Sequence, residues 1–169
     1  VVSMLPMFFE ETWGLNAATA GLIAASFAFV NLVARPMGGM VSDPMGNRRF
    51  VMLSYMFGIS VGFGLMGLMN SSWPLIIAVC ITVFTSFFVQ GAEGATFGII
   101  PSIKRRLTGQ ISGMAGAYGN VGAVVYLTIF TFVTPTQFFY IIACGAFISW
   151  LLCIMWLKEP ESGFADEYQ

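Results

Sequence analysis

Five stretches of this chain, at 17–41, 50–69, 74–100, 111–133 and 138–157, are apolar for about the length a bilayer-crossing helix requires. Such a helix needs about 20 predominantly apolar residues. The first stretch is strictly apolar only over 17–34, and it extends past Arg35 through Pro36–Val41. Composition agrees with the pattern: 57% of residues are hydrophobic and 9% are charged, whereas soluble domains carry about 25% charge. The mean hydropathy is +0.83. The chain reads as an all-α, multi-pass integral protein of a plasma or inner membrane.

Orientation follows from the seven basic residues. Arg48 and Arg49 follow the span at 17–41, Lys104, Arg105 and Arg106 follow the span at 74–100, and Lys158 follows the last. The alternate connectors, EETWGLN, NSSW and TPTQ, carry no Lys or Arg. Lys and Arg concentrate on the cytoplasmic side, so loops 42–49 and 101–110 and the tail 158–169 are expected there. Trp13 and Trp73 then fall at the outer interface and Trp156 at the inner one, as an aromatic belt requires. The opening VVSMLPMFF, with about nine residues before Glu10, reads as the outer end of a helix begun upstream. The expected organisation is five complete spans and the end of a sixth, over 1–9.

Several chemistries drop out. The chain has no histidine, which removes His-based triads, bis-His haem ligation and most zinc sites. Cys80, Cys144 and Cys153 form no CxxC pair and read as buried apolar thiols. No metal, cofactor or nucleic-acid partner is implied. A literal GxGxxG, Gly62 to Gly67, lies inside a span. Without a preceding strand it reads as helix packing, not as a dinucleotide site.

Four features resist a purely structural reading. The first is the loop GGMVSDPMGNRR, where Gly39, Asp43, Gly46, Arg48 and Arg49 match the spacing of the G-x-x-x-D-[RK]-x-G-R-[RK]-[RK] gating-loop motif of the major facilitator superfamily. Pro44 and Asn47 depart from it. The second is Arg35, one helical turn after Asn31 and on the same face. A snorkelling interfacial arginine is one reading. The small and polar neighbours favour a bundle interior, where the planar fork of a guanidinium matches planar oxyanions. Third, Glu93 is the one carboxylate within a span. It suits a structural ion pair with a cytoplasmic-side base or, second, a proton-coupling site.

The fourth is GMAGAYGNVGA. Gly109, Gly113, Gly116, Gly119 and Gly122 recur at spacings of 4, 3, 3 and 3. Spacings of three fall short of a full turn, so the track winds around its helix. Small residues let neighbouring helices approach. That leaves Asn120 unexplained, since its amide needs a ligand or a neighbouring helix as partner.

The segment GAEGATFGIIPSIKRRLTGQISGMAGAYGNVGA, 91–123, resembles the tenth and eleventh helices of the nitrate/nitrite porters, a family of the major facilitator superfamily. Its Gly-Asn-x-Gly core is matched by Gly119, Asn120 and Gly122, and FVNLVARPMGGMVSD resembles the eighth helix, with Arg35 at the place of the anion-binding arginine. The likeness covers essentially the whole chain and is nearest to the cyanobacterial and plant-type members. Tyr118 stands where many members have a small residue.

The resemblance implies the C-terminal six-helix half of a transporter, helices seven to twelve, built as a 3+3 inverted repeat with its first helix truncated. It implies nitrate or nitrite as substrate, protons as a coupling partner, and a facing N-terminal half with a second arginine. Arg35, Asn31, Asn120, Gly116, Gly119 and Gly122 become the substrate-binding candidates. A facilitator for another small solute would keep the fold but has little use for Arg35 beside a Gly-Asn-x-Gly core. A membrane scaffold would explain the glycines and leave Arg35, Asn31 and Glu93 without a role. An intramembrane enzyme lacks a histidine, a metal cluster, or a serine with an evident base.

Overall fold

The computed structural model describes residues 3–45, 48–103 and 105–157, the side chains at 41–45, 48, 101–103 and 105 and the surroundings of Gly39 excepted. Among the described residues seven α-helices follow one another: α1 Leu5–Trp13, α2 Ala17–Phe29, α3 Asn31–Met45, α4 Arg48–Leu68, α5 Leu75–Ile103, α6 Thr108–Phe130 and α7 Pro135–Trp156. A short 3-10 turn, Arg105–Leu107, precedes α6. No strand occurs among the described residues. Among the described residues five helices are long and apolar enough to cross a membrane: Ala17–Gly38, Arg49–Leu68, Leu75–Ile100, Thr108–Phe130 and Pro135–Trp156. The first of these joins α2 to most of α3.

Counting apolar residues places helix ends too early or too late, because caps and polar end-turns also set them. Helix α1 runs through Glu10 and Glu11, which the sequence reading assigned to a connector. It stops at Gly14, whose φ of 64° is left-handed and whose N–H donates to the Glu10 carbonyl. Asn16 then caps α2, its side-chain oxygen accepting from the Thr19 N–H at 2.8 Å. Helix α7 starts at Pro135 and not at 138, since Thr134 and Gln137 form a reciprocal capping box and Pro135 suits the first turn. The basic loop expected at 42–49 is also shorter, with α3 continuing to Met45 and α4 beginning at Arg48. Likewise α6 begins at Thr108 and not at 111.

Between α2 and α3 the chain runs on through a slight irregularity at Val30, which keeps helical backbone angles and hydrogen bonds to Ser26 and from Ala34. One turn earlier, the Phe27 carbonyl accepts a 2.6 Å hydrogen bond from the buried Ser86 hydroxyl of α5. Further on, Pro36 has no N–H to return to the carbonyl four residues back. The two irregularities bracket Asn31 and Arg35.

The main core lies where α1, α2, α4, α5 and α7 converge. Leu5, Phe8, Phe9, Ile23, Phe27, Phe63, Met66 and Phe139 are all buried in it. Phe8 and Phe139 meet edge to face with ring centroids 4.9 Å apart. At the same end the Trp13 indole N–H donates to the Trp73 carbonyl at 3.0 Å, so the two tryptophans assigned to one interface do share one end of the bundle. At the other end the Arg49 guanidinium donates to the Ile154 carbonyl in the last turn of α7, at 2.7 Å. That carbonyl belongs to the terminal set a helix leaves unpaired. Hydrophobic attraction between helices vanishes in lipid, so close van der Waals packing must hold such a bundle together.

Glycine supplies that packing, and mostly not where the glycine track predicts. A Cβ on Gly38 of α3 would land on the backbone of Gly91 of α5, and one on Gly94 of α5 on the backbone of Arg35. Those three glycines bring α3 and α5 into backbone contact. The GxGxxG run behaves as expected at two positions: added Cβ atoms would come within 2.6 Å of Thr85 at Gly62 and 2.9 Å of Tyr140 at Gly67.

Helix α6 is the exception. It has no buried residue and touches α5 and α7 only slightly. At Gly109, Gly113, Gly116, Gly119 and Gly122 an added Cβ would meet nothing within 4 Å. The expectation that this track packs small-to-small against a neighbour is therefore not met by any described helix of this chain.

Candidate functional site

Arg35 projects from α3 five residues after the irregularity at Val30, and its guanidinium pairs with the Glu93 carboxylate of α5. This is the one ion pair among the described residues. The Gly94–Arg35 contact explains it: with no side chain at 94 the helices close up, and Glu93, the preceding residue, is brought within reach of α3. The sequence reading sought the partner of Glu93 among the cytoplasmic-side bases. The structure supplies Arg35 instead, from within the membrane span.

The guanidinium carbon also lies 5.9 Å from the centre of the Phe97 ring, at cation–π distance. Arg35, Pro36, Gly94 and Phe97 line an open cleft of about 440 Å³. The two side chains of the ion pair remain 42% and 43% exposed, so the charge faces this cleft and is not sealed between helices. A guanidinium on apolar walls offers charge and a planar fork of donors to whatever enters the cleft. Neither Phe97 nor Gly94 was singled out from sequence. The glycines three apart on either side of Glu93, Gly91 and Gly94, were the available signal.

Asn31 lies one turn before Arg35, and its side-chain oxygen is buried with no hydrogen-bond partner among the described residues. A buried polar atom without a partner is costly. Rotating the carboxamide by half a turn would exchange the oxygen for the NH2 donor, which suits an oxyanion.

The Gly-Asn-x-Gly candidates sit elsewhere. Asn120 and Gly119 are exposed on α6, and Gly116 and Gly122 are partly so. None lines the cleft at Arg35. The structure thus gathers Asn31, Arg35 and Glu93 on one side and leaves the α6 glycines on an open helix face. Of the gating-loop residues, Gly39 and Asp43 fall in the last turns of α3 and Arg48 in the first turn of α4. The side chains of Asp43 and Arg48, and all of Gly46, lie outside the described residues. Arg49 is engaged with the Ile154 carbonyl of α7.

An all-helical bundle with membrane-length helices and a charged intramembrane cleft narrows the class, and comparison with known proteins decides it. The model of the Major Facilitator Superfamily matches residues 1–168. The chain belongs to that superfamily. Among relatives of this facilitator chain, it is 47% identical to the nitrate/nitrite transporter NrtP of Picosynechococcus sp., with 100% of the chain covered and 35% of the relative. It is 46% identical to the protein of the same name from Nostoc punctiforme, covering 99% of the chain and 34% of the relative. To the high-affinity nitrate transporter 2.3 of Oryza sativa subsp. japonica it is 38% identical, over 98% of the chain and 35% of the relative. The chain therefore spans about a third of the length of the curated relatives it matches. No solved structure matches the facilitator chain significantly.

Proposed function

We propose that this chain is part of a secondary transporter that moves nitrate, and also nitrite, across the membrane by alternating access. The observation that carries this reading is the Arg35 guanidinium facing an open cleft within an otherwise apolar span. Nitrate is a flat monoanion with three acceptor oxygens. A guanidinium meets it with charge and with two parallel N–H donors. Phe97 walls the cleft with a flat apolar surface, and Asn31 holds an amide in reserve one turn away. Identity of 46–47% along the chain to proteins named nitrate/nitrite transporters supports the substrate.

The open face of α6 supports a two-sided site. Asn120 with Gly116, Gly119 and Gly122 presents a strip without bulk and with one amide donor. A second six-helix unit docked on that strip would complete the anion cage and rock against it, as repeat-built transporters do. The relatives' threefold greater length leaves room for such a unit. The task is transport and not catalysis. The ends carrying Arg49 and Arg106 face the cytoplasm in this reading, by the distribution of Lys and Arg.

The test is nitrate uptake by cells lacking their own nitrate transport and expressing the complete protein, wild type beside Arg35→Lys. Lysine keeps the charge and loses the fork. The expected result is uptake in wild type and a fall in kcat/KM of about tenfold or more in the variant, roughly 1.4 kcal/mol of lost stabilisation, at equal membrane abundance. Absence of nitrate uptake in wild type removes the substrate assignment. Unchanged uptake in the variant removes Arg35 from the site.

A further inference from the structure

Gln90, Glu93, Gly94 and Phe97 recur at i, i+3, i+4 and i+7, so they share one face of α5. Three of the four meet Arg35: Glu93 through its carboxylate, Gly94 by backbone approach, and Phe97 through its ring. Ser86, on the same side of α5, donates to the Phe27 carbonyl of α2. Gln90 therefore lies midway between two contacts, four residues after Ser86 and four before Gly94. On the opposing helices Asn31 lies four residues after Phe27 and four before Arg35. The two contacts bracket both carboxamides, one from each side of the crossing, a turn from the guanidinium.

Neither carboxamide is satisfied. Of the buried polar side chains on α5, those of Thr82, Thr85 and Ser86 each donate to a backbone carbonyl. Gln90, only 8% exposed, makes no hydrogen bond with the described residues. Across from it, the Asn31 oxygen is buried without a partner. Buried amides are ordinarily bonded. Two orphans at one helix crossing mark a place where a ligand supplies what the protein does not.

The chemistry of that ligand follows from counting donors. Glu93 engages the guanidinium through Nη2, and a guanidinium has five N–H groups, so donors remain. Two parallel donors hold two oxygens of a planar oxyanion. Nitrite, with two oxygens, is then complete. Nitrate has a third, which points away from the fork and needs an uncharged donor of its own. A carboxamide NH2 supplies two N–H groups, and turning the amide about its last bond brings them inward. Neither Gln90 nor Asn31 lines the open cleft itself. One turn of helix, about 5.4 Å, separates them from residues that do, comparable to the depth of a nitrate seated on the fork.

We propose that Gln90 and Asn31 form a pair of amide donors for the third oxygen of nitrate, and so set a preference for nitrate over nitrite. This rests on the nitrate reading above and names which of the two anions the site favours. Arg35 supplies the charge that both anions use; the carboxamides supply what only nitrate can use.

The experiment titrates nitrate and nitrite separately against the complete purified transporter, wild type beside Gln90→Met, at neutral pH where both are monoanions. Methionine keeps the length of the side chain and removes its donors. Wild type should bind nitrate more tightly than nitrite. The variant should lose nitrate affinity by about tenfold or more, the scale of a hydrogen bond to a charged group, while nitrite affinity changes less than about twofold. Without anion its melting temperature should hold or rise, because an unpaired buried amide is replaced by an apolar group of similar shape. Should Gln90→Met fail to reach the membrane, Asn31→Leu carries the test, with the same selective loss of nitrate.

Equal weakening of both anions overturns the proposal and makes the carboxamides structural. Unchanged affinity for both overturns it too, as does a wild type that binds nitrite as tightly as nitrate. Binding of neither anion by wild type removes the substrate reading, and this inference with it.

Discussion

Arg35 and Glu93 stand 58 positions apart in sequence and meet as an ion pair because the backbone of Arg35 lies against Gly94. A membrane bundle has no hydrophobic force between its helices, so contact at that distance depends on backbones approaching closely. Glycine at 94 permits the approach, and Gly38 against Gly91 repeats it further along α3 and α5. The charge site is thus a consequence of how two helices cross.

Glycines of the two kinds should respond oppositely to added side chains. Gly94→Val places bulk on the Arg35 backbone and should cost about 1–3 kcal/mol, read as a lower melting temperature of the purified transporter and reduced nitrate uptake. Gly119→Ala meets nothing within 4 Å among the described residues. In a helix, alanine is favoured over glycine by about 0.8–1.0 kcal/mol, so melting should hold or rise while uptake falls. A fall in stability at Gly119 equal to that at Gly94 would show that another surface packs there as tightly as α3 packs on α5.

Ser86→Ala removes the hydroxyl that holds the Phe27 carbonyl one turn before the irregularity at Val30. Hydrogen bonds of this kind between membrane helices average about 0.6 kcal/mol. A drop of that size in unfolding free energy is expected, with a larger proportional effect on uptake, since the irregularity precedes Asn31 and Arg35. A loss in stability with transport intact would separate the irregularity from the site.

Thr134→Ala deletes one half of the capping box that starts α7. The expected cost is about 1 kcal/mol, seen in the melting temperature, with kcat/KM for nitrate unchanged because α7 packs chiefly on α4 and not on the α3–α5 crossing that forms the cleft. A melting temperature equal to that of wild type would show the cap to be redundant with Pro135.

Sidedness can be read with single cysteines. In a complete protein stripped of its native thiols, Ser71→Cys should react with an impermeant maleimide added to intact cells, and Arg106→Cys only after permeabilisation. Both positions are exposed. The reverse labelling pattern would invert the orientation argued from Lys and Arg.

The spans were legible because transfer into lipid is set by local composition: 17–41, 50–69, 74–100, 111–133 and 138–157 each correspond to a membrane-length helix. Their ends were less legible. Thr134 and Gln137, polar by composition, belong to the structured start of α7 because each bonds the other's backbone. Glu10 and Glu11 are helical because Gly14, and not the first charge, ends α1. Arg35 and Glu93 were identifiable as residues that hydrocarbon does not tolerate alone, but not as partners of one another.

By itself the sequence determined that this protein lies in a membrane as a helical bundle, and which few residues pay a solvation cost to be there. Hydropathy, caps and isolated charges act within a turn or a span, so they can be read along the chain. Only the tertiary structure decided that the intramembrane arginine and carboxylate pair with each other, and that the glycines of α6 face open space among the described residues while Gly38, Gly91 and Gly94 join helices. Those outcomes depend on which helix faces lie against each other, and that is a property of backbone approach in three dimensions and not of any segment alone.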